Sequence, residues 1–251
     1  MKRIILFAAA LVLAGLTTCC ASGPRQYSVK VIKEYPHDRG GYTQGLFFHG
    51  GEFYEGTGQW GSSSFRKVDL ESGKILRKLD FDAKYFGEGS VILGDYMYML
   101  TWTNKVAFVY DAATLKYVKT CSYPREGWGL TTDGKHLIAS DGSPFIYFMD
   151  ENFKVLKKLK VTMNDRPVRN LNELEWIDGK IWANVYTTDM IVIINPSSGK
   201  VEGTVDCTGL LSRKLRTTDT DVLNGIAWRD GHIYLTGKNW PLLFEVRLIE
   251  K

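Results

Sequence analysis

Five side chains able to bond, carry charge or stack stand at one recurring point of this chain: Gln44, Glu88, Trp128, Asn172 (with Glu173 beside it) and Asn224. Each follows a loop and opens an apolar run. Glu88 is the one that can move a proton. It sits in Phe86-Gly87-Glu88-Gly89, and flanking glycines allow close backbone approach and unusual φ. A carboxyl held against Phe86, Trp102 and Trp128 would be desolvated and its pKa raised, the state a proton shuttle near neutral pH requires. The plain alternatives are a solvated loop carboxylate for Glu88 and ordinary core packing for Trp102 and Trp128.

These residues recur because the phrase around them recurs. Its copies are Gln44–Gly56, Glu88–Leu100, Trp128–Ser140, Glu173–Val185 and Asn224–Gly237. Each has an apolar stretch, a turn with Gly, and a second apolar run. The turn glycines Gly51, Gly94, Gly134, Gly179 and Gly231 stand 43, 40, 45 and 52 residues apart. Short strands repeating every ~40–50 residues predict a β-propeller. The class expected is all-β, with five blades of four strands. In the second repeat the strands are expected near 89–93, 96–102, 106–111 and 117–123. The fifth repeat stops one strand short, and Tyr27–Tyr35 resembles the outermost strands elsewhere. It is expected to fill the gap and close the ring, which removes an exposed edge. The loops entering each innermost strand then return to the axis on one face, so the five residues named above should meet at one mouth. Polar groups converging with aromatics in a concavity are the default binding site. A short helical turn is expected within Leu210–Asp221.

Lys2 and Arg3 followed by apolar Ile4–Leu16 read as an export leader rather than a membrane span. Leu16-Thr-Thr-Cys19 resembles a relaxed lipobox, with lipidation expected at Cys19; cleavage near Ala21–Gly23 is the alternative. The expected division is a leader over 1–20, a linker over 21–26 and one propeller domain over 27–251. The product is expected to be periplasmic or membrane-anchored, and monomeric. The net charge is +4, of which Lys2 and Arg3 supply half; that is no footprint for nucleic acid. Cys121 and Cys207 are expected as separate thiols on outer strands. His37, His49, His136 and His232 lack metal-ligand spacing.

The phrases Tyr42-Thr-Gln-Gly-Leu46, Tyr54-Glu-Gly-Thr-Gly58, Phe86-Gly-Glu-Gly89, Leu100-Thr-Trp-Thr-Asn104, Gly127-Trp-Gly-Leu130, Leu171-Asn-Glu-Leu-Glu175, Ile181-Trp-Ala-Asn184 and Leu223-Asn-Gly-Ile-Ala227, with Thr236-Gly-Lys238, occur in this order. Together they resemble the plant and bacterial type of glutaminyl-peptide cyclotransferase. The resemblance implies a five-bladed propeller that converts an N-terminal Gln to pyroglutamate and releases ammonia, without a required cofactor or metal. Its substrates would be peptides or proteins with N-terminal Gln. By matched position, Glu88 would shuttle the proton. Gln44 and Asn172 would bond the carboxamide or the developing oxyanion, and Lys238 would stabilise that oxyanion or bond the peptide carbonyl. Tyr42, Phe86, Trp102, Trp128 and Tyr186 would wall the substrate pocket. Two positions depart from the family's habit: Tyr42 stands where Phe is common, and Tyr186 where Trp is common.

Two other readings stay open on sequence. Glu88, Asn172, Glu173 and Asn224 could ligate Ca²⁺ in a lactonase-like propeller hydrolase. A non-catalytic propeller could use its mouth to bind a peptide. A structural cation in the channel is compatible with the sequence.

Overall fold

The computed structural model describes residues 23–251; Cys19 and the leader lie outside them. The chain enters through β1 (Arg25–Pro36). Three four-stranded antiparallel sheets follow. The first is β2 (Thr43–His49), β3 (Glu52–Thr57), β4 (Ser64–Val68) and β5 (Ile75–Asp80). The second is β6 (Gly87–Leu93), β7 (Tyr96–Thr101), β8 (Val106–Asp111) and β9 (Tyr117–Ser122). The third is β10 (Leu130–Thr132), β11 (Leu137–Ser140), β12 (Phe145–Met149) and β13 (Val155–Lys160). A short hairpin, β14 (Thr162–Met163) and β15 (Arg166–Pro167), leads to the fourth unit. That unit is β16 (Leu171–Ile177), β17 (Lys180–Val185), β18 (Met190–Ile194) and β19 (Val201–Asp206). The last is β20 (Leu223–Arg229), β21 (His232–Gly237) and β22 (Leu242–Glu250), a strand short.

β1 supplies the missing strand. It runs antiparallel along β22, from Tyr27 opposite Glu250 to Pro36 opposite Leu242. The expected boundary is off by two residues, because Arg25–Ser28 also pair in parallel with Gly203–Asp206 of β19. One strand therefore covers two edges, and residues 25 and 26 belong to the sheet rather than to a linker. The helical turn within Leu210–Asp221 is a single 3₁₀ turn at Arg213–Leu215. Cys121 and Cys207 are both free, the latter buried just past the end of β19.

Inner and outer strands differ as burial demands. β6, at the axis, is buried along nearly its whole length; β5, at the rim, is almost wholly exposed. Neighbouring units clamp apolar side chains between their faces, as with Leu46, Phe53 and Tyr234 between the fifth and first units. The inner strands touch in turn, β2 to β6, β6 to β10, β10 to β16, β16 to β20 and β20 back to β2, so the ring closes. Among the described residues no helix is long and apolar enough to cross a membrane.

Candidate active site

Four of the five recurring residues sit inside an irregularity in their strand. The β6–β7 register shifts between Gly87 and Ser90, and Glu88 lies inside the shift. The same interruption falls between Thr43 and Gly45 around Gln44, between Leu171 and Leu174 around Asn172, and between Leu223 and Ile226 around Asn224. A bulge frees its residues from the ladder and turns a side chain out of the strand's alternation. The residue after each recurring position must be small where two inner strands meet. A Cβ on Gly89 would lie 2.3 Å from the Leu130 nitrogen, and one on Gly129 only 2.0 Å from the Asn172 carbonyl oxygen. Gly45 and Gly225 hold the same place. The fourth copy breaks the rule with Glu173.

The mouth opens on a cavity of about 160 Å³ lined by Tyr42, Gln44, Phe86, Glu88, Trp102, Trp128, Asn172, Tyr186 and Lys238. All nine side chains expected at a site thus meet around one space. The space is small and walled mostly by aromatic rings. Glu173 and Asn224 lie beneath it rather than on its wall. Glu173 accepts the backbone N–H groups of Leu46 (3.2 Å) and Ile226 (2.9 Å), stapling β2 to β20. Asn224 donates to the Thr43 carbonyl (2.8 Å) and to Gln44 Oε1 (3.1 Å). With its oxygen occupied, Gln44 has its NH₂ left to offer the cavity. The four residues weighed as calcium ligands are therefore divided between two levels, with both Glu173 oxygens occupied. Among the described residues no cluster of three His, Cys, Asp or Glu side chains is placed to hold a metal ion.

Glu88 and Lys238 face the cavity almost fully buried, at 4% and 2% exposure. Burial drives the Glu88 carboxyl well above the usual range; Lys238 opposes this and Glu126 adds to it. Burial likewise lowers the Lys238 ammonium, against the fields of Glu88 and Asp221. Its Nζ lies 4.5 Å from the centroid of the Tyr42 ring and 4.8 Å from that of Tyr186, as a cation over two π faces. Asn172 Oδ1 is buried without a partner among the described residues, and a ligand's donor would satisfy it.

The aromatic wall is braced by residues the repeat alignment left out. Glu126 Oε2 accepts from the indoles of both Trp102 (3.0 Å) and Trp128 (3.3 Å). Asp221 accepts from the Tyr42 hydroxyl at 3.1 Å. A signal for Glu126 was present: it stands two residues before Trp128, as Tyr42 stands before Gln44 and Phe86 before Glu88. Asp221 had no such marker, because its loop is the longest of the five. Trp102 is 37% exposed and belongs to the rim, not the core.

A family model described as glutamine cyclotransferase matches residues 4–248. The chain is also 41% identical, over 227 residues, to the glutaminyl-peptide cyclotransferase of Arabidopsis thaliana, covering 88% of this chain and 71% of that one. The chain belongs to the glutamine cyclotransferase family. Within solved structures, the glutaminyl cyclase of Myxococcus xanthus matches with a TM-score of 0.84 at 34% identity, over 91% of this chain and 99% of that one. BamB from Moraxella catarrhalis, at 11% identity and a TM-score of 0.50 over 87% of this chain and 97% of that one, shares the fold alone. The two departures from the cyclotransferase pattern, Tyr42 and Tyr186, meet across one cation: both rings lie against Lys238. They keep the aromatic cradle and add hydroxyls, one of them spent on Asp221.

Proposed function

We propose that this chain cyclises N-terminal glutamine of peptides and proteins to pyroglutamate, releasing ammonia. The observation that carries the reading is the buried Glu88, without a hydrogen-bond partner among the described residues, facing a small aromatic-walled cavity. Family membership supplies the reaction, and the site supplies groups suited to it.

The substrate is its own nucleophile: its α-amine attacks its own side-chain Cδ. No serine or cysteine nucleophile is then needed. The cavity walls fold the side chain back on the amine, and a well-oriented intramolecular attack is worth roughly 7–11 kcal/mol. An α-amine has a pKa of about 7.7–8.0, so it arrives mostly as ammonium. A carboxylate of ordinary pKa would accept its proton poorly; Glu88, raised by burial, is far better matched. Glu88 takes a proton from the ammonium, and the free amine forms the new C–N bond while the carbonyl electrons move to oxygen. Lys238 and the Gln44 amide stabilise that oxyanion. As the C–NH₂ bond breaks, Glu88 gives its proton to the departing nitrogen, which leaves as ammonia; the carboxylate so freed takes the second proton from the ring nitrogen and passes it to the ammonia or to solvent. Asn172 Oδ1 accepts from the substrate carboxamide and fixes which face is attacked.

The leader of basic Lys2 and Arg3 before Ile4–Leu16, with Cys19 after it, supports action outside the cytoplasm on exported peptides, with lipid at Cys19 as anchor. The reading is tested by incubating the purified protein with a peptide beginning in Gln. One ammonia per pyroglutamate formed, undiminished by chelator, is expected. Absence of ammonia sinks the reading, and loss of activity in chelator restores the metal-dependent one.

A further inference from the structure

The aromatic wall of the cavity continues past its rim onto a residue that lines no part of it. Trp60, in the β3–β4 loop, packs edge-on against Phe86, with ring centroids 5.6 Å apart. Phe86 meets Trp102 on another side at 5.5 Å. Trp60 and Trp102 are 49% and 37% exposed; Trp102 lines the cavity, and Trp60 adjoins it through Phe86. Most other exposed large apolar side chains lie on the rim strands β1, β5, β9, β13 and β22, on the outside of the ring.

The Trp60 loop is held rigidly. Gln59 has a φ of 103°, a region ordinary side chains rarely enter, and such backbone persists only where its surroundings enforce it. Here the Gln59 carbonyl accepts from the Ser62 and Ser63 amides, at 3.3 and 3.0 Å, and from the Ser63 hydroxyl at 2.6 Å. The Ser63 oxygen in turn accepts the Gly87 amide at 2.8 Å, one residue before Glu88. Gly58 lies so close beneath that a Cβ would stand 2.5 Å from Phe86 Cε1. The loop is thus fastened to the Phe86–Glu88 segment, and it presents a half-exposed indole that contributes no hydrogen bond among the described residues. A strained loop that holds an apolar ring half exposed beside a pocket points to a contact with a bound ligand.

We propose that Trp60 and Trp102 form an aromatic ledge that receives the side chain of the residue following the N-terminal glutamine, and that this ledge sets a preference for aromatic or large apolar side chains there. The inference rests on the cyclotransferase reading. With the glutamine side chain in the cavity, the peptide leaves through the mouth, and its second side chain is the first group to reach the rim. An aromatic pair of this kind is worth about two- to twelvefold in binding.

The test compares Gln-Phe-amide with Gln-Gly-amide. The wild type is expected to favour Gln-Phe-amide by about two- to twelvefold in kcat/KM. Trp60→Ala should bring the ratio close to one, through a rise in KM for Gln-Phe-amide with kcat held. Trp60→Phe should keep most of the preference. A wild-type ratio near one, a ratio unmoved by Trp60→Ala, or an equal fall in kcat on both peptides would overturn the ledge while leaving the cyclotransferase reading intact. A wild type that releases ammonia from neither peptide would instead remove that reading, and the ledge with it.

Discussion

Glu55 and Glu88 are buried alike, at 2% and 4% exposure, on neighbouring units of one ring. Their surroundings set them apart. Glu55 is bonded to His37 Nε2 at 3.0 Å, accepts from Thr43 Oγ1 at 2.8 Å, and has the Arg66 guanidinium 3.7 Å away. Burial alone would raise its pKa, but His37 and Arg66 outweigh it and the carboxyl is lowered. Glu88 has no bonded partner among the described residues, so burial wins and its carboxyl is raised. Burial therefore does not mark a functional carboxylate; burial without satisfaction does. One group is held as a structural anion; the other has the surroundings that the proposed proton transfer requires.

The largest expected effect separates them by chemistry. Glu88→Gln should cut kcat by on the order of 10²–10⁴, measured by ammonia release. It should melt no lower than the wild type, because the native fold loses no partner of Glu88, and it should still bind a Gln peptide by calorimetry. A Glu88→Gln protein that retained its turnover, or that unfolded, would break the contrast.

The converse substitution comes next. Glu55→Gln leaves His37 and Arg66 facing a neutral amide. Stripping one partner from a buried ion pair costs about 3–5 kcal/mol. The lower end is expected, because Arg66 keeps Asp38 at 2.8 Å. Urea denaturation measures the loss. An unchanged midpoint would mean that the Glu55 cluster is dispensable and that satisfaction is not what distinguishes it.

The sequence exposed one half of this contrast and hid the other. The repeat lines up Gln44, Glu88, Trp128, Asn172 and Asn224, because strand periodicity and turn glycines are local signals. It also exposes the missing last strand, and so β1. It does not show that β1 reaches across to β19, which depends on an edge formed by residues about 180 positions later. Nor does it show which polar residues are spent on structure. Glu173 and Asn224 read like wall residues and prove to be fasteners, because the bulges that aim them at the axis set depth as well as direction. Glu55 is invisible from sequence for the same reason: its partners His37 and Arg66 are brought to it by the hairpin and by the loop after β1.

The smallest effect sharpens the comparison through pH. Glu55 is lowered in the fold, so its contribution is present above the ordinary carboxylate value of 4.5 and lost as pH falls through the depressed value. Burial opposes a charge on His37, but Glu55 and the Trp240 carbonyl outweigh it and raise the imidazole. Its contribution is present below the ordinary 6.5 and lost as pH rises through the raised value. The pair is complete between those two ordinary values. Glu175, buried near Glu173, is pushed up to about 8 by burial, against bonds from the Trp228 amide and the Thr131 hydroxyl. It is neutral in the fold where the unfolded chain ionises it, so stability declines as pH rises from 4.5 toward about 8. Each group sets a slope of at most about 1.4 kcal/mol per pH unit. Urea midpoints from pH 5 to 8 should fall for the wild type. Glu175→Gln should lessen the decline below pH 7, leaving the shares of Glu88 and Glu173, which burial also raises, and the His37 limb above it. If the variant keeps the wild-type slope throughout, Glu175 is already ionised in the fold. The two N–H and O–H donors on it would then suffice to satisfy a buried carboxylate without a cation, and Glu88 would differ from Glu55 only in lacking donors, not in lacking charge.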